Sequence, residues 1–142
     1  MIDGLVLTEN KVIKHPKGDI FHIIKTSSEG FEGFGEVYIS SILKNDIKGW
    51  KKHKKMILNL TVVYGKVNFA IFDDRSKSNS NGEMNNFVLG PNINYSRLTV
   101  PPGLWVAFKG IEDTNLVLNL IPSEHDQSES DDKPLNFKIF PK

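Results

Sequence analysis

The sequence contains no cysteine, which excludes a disulfide framework, a thiolate metal centre and a cysteine nucleophile. It carries little net charge: Lys and Arg total 18 against 17 Asp and Glu, leaving +1. No long-range field therefore draws the chain onto nucleic acid or anionic lipid. Nowhere do about 18 apolar residues run together, the length that a membrane-crossing helix needs. Met1 to Lys14 includes Asp3 and lacks the apolar stretch of a secretory leader, so the cytoplasm is the expected location. Helical signal is scarce too, because no segment beyond about ten residues keeps apolar positions at i, i+3, i+4 and i+7. A helical bundle and an alternating α/β sheet are both disfavoured. The Gly-rich phosphate loop, the dinucleotide-binding Gly-x-Gly-x-x-Gly, the Gly-x-Ser-x-Gly elbow and the paired-cysteine zinc site are missing as well. Basic and aromatic residues are not interleaved as in single-strand binders, so no nucleic acid partner is expected.

What remains reads as strands and turns. With 142 residues and 39% hydrophobic content, the chain is long enough to bury one core, and one domain is expected. Gly, Pro, Asn and Ser break the sequence into short runs rich in Val, Ile, Phe, Thr and Tyr, residues that suit a pleated, half-buried surface. Strands are expected at Leu5 to Leu7, Asp19 to Lys25, Gly35 to Leu43, Lys48 to Lys54, Met56 to Val63, Lys66 to Asp73, Met84 to Leu89, Tyr95 to Val100, Trp105 to Gly110 and Asn115 to Ile121. Two of these runs meet at Tyr64-Gly65, where glycine supplies the positive φ of a tight turn, and read as a hairpin. Lys77 to Gly82 is polar and turn-rich, an exposed loop rather than a linker. The tail from Ser123 to Lys133 is acidic and leads into the apolar Leu135 to Phe140, which is expected to pack back on the barrel. Periodicity alone leaves sandwich, open barrel and jelly roll open.

Three segments narrow the choice: Ile47-Lys-Gly49-Trp-Lys-Lys-His53, Leu58 to Arg75 with Gly65 at its centre, and Leu98-Thr-Val-Pro101-Pro-Gly103-Leu-Trp105-Val-Ala-Phe108. In order and spacing they resemble the spine of dTDP-4-dehydrorhamnose 3,5-epimerases, and Lys17-Gly-Asp-Ile-Phe21 resembles the stretch that precedes the barrel there. The resemblance implies an all-β cupin jelly roll in a single domain and a homodimer with exchanged N-terminal strands. It also implies a nucleotide-linked 4-keto sugar, with dTDP as the carrier, and chemistry without metal or other cofactor. The sugar 3,4-ketoisomerases of the same superfamily are similar too. Their Gly-x-His-x-His stretch is matched by Gly49-Trp-Lys51-Lys-His53, with Lys51 at the first histidine, and their strand tyrosine by Tyr38.

Isomerisation beside a sugar ketone needs a base for a carbon-bound proton, an acid to return one and a donor for the enolate oxygen. The resemblance makes His53 the base, Tyr38 the acid and Lys51 a catalytic cation. Lys48, Arg97, Trp105 and Asn119 are the substrate-binding candidates: two cations for diphosphate or oxyanion, an aromatic to stack, and an amide. Taken without the resemblance, His53 is an exposed histidine among five lysines between Lys48 and Lys55, and that segment is a solvated edge strand. Trp105 without it is a core residue, and Arg97 a surface ion-pair partner.

Two departures from the 3,5-epimerase pattern stand out. The stretch Leu116 to Leu120 lacks the proton-donating tyrosine, and Val106 replaces the later histidine. A noncatalytic cupin that binds carbohydrate or nucleotide sugar is therefore the alternative. A metal is not expected, because three or four converging ligands are needed and only His53 stands in such a place; His125 in Glu124-His-Asp126 reads as a solvated turn.

Overall fold

A computed structural model describes all residues from Met1 to Lys142. Its strands are β1 (Val6–Glu9), β2 (Val12–Ile13), β3 (Ile20–Phe21), β4 (Glu36–Leu43), β5 (Ile47–His53), β6 (Leu58–Tyr64), β7 (Val67–Asp73), β8 (Met84–Leu89), β9 (Ser96–Val100), β10 (Leu104–Gly110), β11 (Thr114–Ile121) and β12 (Ser130–Asp132). Two single 3-10 turns, Gln127–Glu129 and Leu135–Phe137, are the only helical pieces. No helix is long and apolar enough to cross a membrane.

The strands form two five-stranded antiparallel sheets with orders β1-β9-β6-β11-β4 and β12-β5-β10-β7-β8, and β2 pairs with β3 in a separate ribbon. This is the all-β jelly roll expected of a cupin. Between the sheets lies the main core, with Leu58, Leu60 and Val62 from one side and Phe69, Ile71, Val106 and Leu104 from the other. A second cluster occupies the outside of the sheet containing β5: Trp50, Ala70, Phe72, Trp105 and Ala107. The C-terminal tail covers it, with the Phe137 ring 5.1 Å from Trp105, 6.0 Å from Phe72 and 6.2 Å from Trp50. The apolar tail thus packs on its own barrel, as the sequence led us to expect.

The hairpin expected around Tyr64-Gly65 does not exist. β6 pairs with β9 and β11 in one sheet, whereas β7 pairs with β8 and β10 in the other. Glycine does take the positive φ, +80°, but the turn carries the chain from one layer to the next. β7 is buried along its whole length and β6 over its first five residues, so the backbone groups at both edges of each strand need partners, which a two-stranded ribbon would have left unpaired. The strand expected over Asp19 to Lys25 shrinks to Ile20–Phe21, while β2 and β12 answer to no expected strand.

One irregularity shapes the site. In the β10–β5 pairing, Val106 faces Lys51 and Phe108 faces Lys48, so β5 holds one residue more than its partner. This is a β-bulge at Gly49-Trp50. Strict alternation would send Lys48 and Lys51, three apart, to opposite faces; the extra residue returns both to the inside. Only glycine fits there: φ is +143°, and a Cβ would lie 2.5 Å from that of Ala107.

Candidate active site

The inner faces of β4, β6 and β11 on one sheet and of β5 and β10 on the other enclose a cavity of about 510 Å³, within the range of small-molecule sites. Leu58, Leu60, Val106, Phe108 and Val117 make it apolar, and Tyr38, Lys48, Lys51, His53 and Asn119 bring polar groups to it. Five of the seven residues singled out in the sequence therefore share one cavity.

His53 closes β5 and is buried. Its Nδ1 lies 2.8 Å from Glu129 Oε2. Because a carboxylate accepts only, Nδ1 carries the proton, and Nε2, which has no protein partner, is the basic nitrogen. Glu129 is itself held: Oε1 accepts the backbone N–H of Lys55 and that of Met56, the latter at 2.9 Å. Burial pushes the Glu129 carboxyl up, yet the N–H of Lys55, the His53 ring and the N–H of Met56 outweigh it and hold the group below its ordinary value. An ionised carboxylate thus fixes the orientation and tautomer of His53.

The sequence reading passed over Glu129, because it sits in an acidic run that looks solvated. The run is instead laid along the lysine-rich strand. β12 pairs with β5, Ser130 opposite His53 and Asp132 opposite Lys51, with Lys51 and Asp132 3.8 Å apart and Lys54 and Asp131 likewise 3.8 Å. Charge complementarity between the two segments was the signal available. The same strap brings His125 to the cavity, where its backbone N–H donates to Glu36 Oε1 at 2.9 Å.

Across the cavity, Tyr38 projects inward from β4. Asn119 on β11 donates from Nδ2 to the Tyr38 hydroxyl at 3.0 Å, and its Oδ1 accepts the Asn59 backbone N–H at 3.2 Å. Lys48 Nζ donates to Ser40 Oγ at 3.1 Å and to the Ser41 carbonyl, so its charge stands at the wall of the cavity. An oriented imidazole, a phenol and two ammonium groups around an apolar chamber can remove a carbon-bound proton, hold the oxyanion and return a proton.

No protein-family model matches the chain. Among solved structures it is similar to a dTDP sugar isomerase from Desulfovibrio desulfuricans G20, 32% identical, covering 96% of this chain and 87% of that one, with a TM-score of 0.92. The chain belongs to the dTDP-sugar isomerase family. Within this family's fold it is also similar to a dTDP-4-dehydrorhamnose 3,5-epimerase from Bacillus anthracis str. Ames solved with TDP and PPi bound, 17% identical, covering 94% and 80%, TM-score 0.83. A curated relative is a probable low-salt glycan biosynthesis epimerase of Haloferax volcanii, 24% identical over 124 residues, 85% of this chain and 79% of that protein.

Two expected binding residues stand away from the cavity of this dTDP-sugar isomerase relative. Trp105 neighbours the cavity-lining Val106 and therefore faces outward, into the cluster under Phe137, with Nε1 donating to Asp74 Oδ2 at 2.8 Å and Lys52 Nζ 4.8 Å over its ring. Arg97 is buried on the outer side of β9. Its Nη1 donates to Asn59 Oδ1 at 2.8 Å, the Glu29 carbonyl at 3.1 Å and Thr99 Oγ1 at 3.3 Å. Burial draws the guanidinium below its ordinary value, with Glu29 opposing.

Proposed function

We propose that this protein isomerises or epimerises a dTDP-linked 4-keto-6-deoxy sugar in the synthesis of surface polysaccharide. The observation that carries the reading is the His53–Glu129 pair in a cavity that Tyr38 also lines. His53 Nε2 takes the proton from a carbon beside the ketone, and the bonding pair moves onto the ketone oxygen as an enolate. Lys51 and Lys48 steady that oxygen, and the Tyr38 hydroxyl supplies a proton to carbon. Return to the same carbon from the other face is epimerisation; return to the former carbonyl carbon, with the proton of the neighbouring hydroxyl passing to the enolate oxygen, exchanges ketone and hydroxyl. The inward positions of β11 are Val117, Asn119 and Ile121, none an acid, so Tyr38 on β4 is the proton donor, which favours the ketoisomerase course. Family membership supports the thymidine nucleotide.

Incubation with dTDP-4-keto-6-deoxyglucose in D2O tests the reaction. Wild type is expected to incorporate deuterium beside the ketone and form product, and His53→Asn to fold and do neither. A wild type that binds dTDP, with a raised melting temperature, but never exchanges would make the protein a binding cupin instead.

The working form on this reading is a cytoplasmic homodimer with exchanged N-terminal strands. Val37, Ile39 and Leu43 on the outward face of β4 are 46%, 53% and 62% exposed, an apolar sheet face that a second copy would cover. The β2–β3 ribbon likewise leaves Ile13, Ile20 and Phe21 in solvent.

A further inference from the structure

Asn119 has so far been a residue of the cavity wall. Its hydrogen bonds give it another part. The Asn59 backbone N–H can only donate, so the atom of Asn119 that meets it at 3.2 Å must be Oδ1. That contact leaves no freedom in the amide: Nδ2 is turned to Tyr38 and donates to its hydroxyl oxygen at 3.0 Å. A phenol that accepts from one side cannot give its own hydrogen to the same partner. No other protein group bonds to the Tyr38 hydroxyl, so its O–H is directed into the cavity rather than back into the sheet.

We infer that Asn119 is a positioning residue that acts through Tyr38: it aims the Tyr38 O–H at the substrate and keeps an N–H on the oxygen from which the proton departs. The inference rests on the proposed proton transfer and deepens it, since it moves Asn119 from holding substrate to preparing the acid. The chain of constraint runs from the β6 backbone at Asn59, through a buried amide on β11, to a hydroxyl on β4. The sheet itself therefore sets the direction of proton delivery.

Asn119→Asp provides the test. The side chain keeps its shape, and one carboxylate oxygen still accepts the Asn59 N–H; the other now accepts from Tyr38 and turns the hydroxyl's hydrogen away from the cavity. With dTDP-4-keto-6-deoxyglucose in D2O, two rates are read on the holoprotein: deuterium entering the recovered substrate, which reports abstraction by His53, and product formation, which needs delivery by Tyr38. The ratio of product to exchange is expected to fall at least tenfold, as in Tyr38→Phe, with no further fall in the double variant. Asn119→Leu, which buries no charge, serves if the carboxylate prevents folding, and the same fall is expected. A purely structural role would lower both rates together, and an unchanged ratio in a folded variant overturns the inference. Wild type lacking both exchange and product would instead overturn the proposed reaction, so the two failures are distinct.

Discussion

On the proposed mechanism, Glu129 is the residue on which the chemistry of His53 turns. Its carboxylate holds the imidazole in the tautomer that leaves Nε2 basic, and an amide in its place can present either an N–H or an oxygen to Nδ1. Glu129→Gln is expected to lower kcat about 10²- to 10⁴-fold, the range that general-base catalysis contributes and that a histidine in the wrong tautomer forfeits, with dTDP binding little changed; steady-state kinetics beside a dTDP titration decides it. Asp73 makes a different case. Fully buried, it accepts from Arg75 Nε at 2.9 Å, Arg75 Nη2 at 2.9 Å, Ser78 Oγ at 2.7 Å and Ser80 Oγ at 2.6 Å. The Arg75 guanidinium, against the opposing push of burial and with help from Ser80 and Ser78, holds this carboxyl well below the usual carboxylate range. A carboxyl that binds its proton less readily when folded adds stability above its unfolded value and loses it as the pH falls toward the folded one. Asp73 and Glu129 both act in that sense, so the melting temperature should hold at neutral pH and drop below about pH 4. Asp73→Asn should cost about 1.5–3 kcal/mol at pH 7, the worth of a hydrogen bond to a charged group. It should also leave a shallower acid limb, and melts at pH 3 and 7 against wild type measure both effects.

Among the elements, β5 does most to assemble the cavity, and Gly49 is where it can be broken. Gly49→Ala would press a Cβ onto Ala107 in a backbone conformation that L residues avoid, driving β5 from β10 and taking Lys48 and His53 out of register. Loss of activity with a lowered melting temperature is the expected outcome; an active, equally stable variant would show that the bulge is dispensable. The strands themselves were largely legible, because runs such as Val67 to Asp73 and Asn115 to Ile121 carry β-branched and aromatic residues between turn formers. Sheet membership was not. Tyr64-Gly65 looks the same whether the chain folds back beside itself or crosses to the other layer, and only long-range pairing with β10 and β11 separates these. The lining of the cavity was legible as far as β5, β4 and β11 reach, through His53, Lys51, Lys48, Tyr38 and Asn119. Trp105 was assigned to the wrong face because composition names a residue type, while register names a direction. Glu129 escaped because β12 has three residues and no apolar pattern.

For the whole molecule, the exposed face of β4 makes a test of assembly direct. Sedimentation should give twice the mass of one chain, and Ile39→Lys, which sets a charge in the middle of that face, should shift the mass toward a single chain; a wild type already at single-chain mass would remove the dimer. The jelly-roll architecture itself came from the order of short motifs, since strand pattern fits several β folds equally well. Its topology also gives the protein an order of completion. His53 and Glu129 stand 76 residues apart, and the strap bearing Glu129 follows eleven strands in the chain and pairs with β5. During synthesis, a chain halted anywhere before residue 129 carries the imidazole and both lysines yet lacks the carboxylate that orients the base. On the proposed mechanism, a chain without that strap keeps the cations of the cavity but has no oriented base.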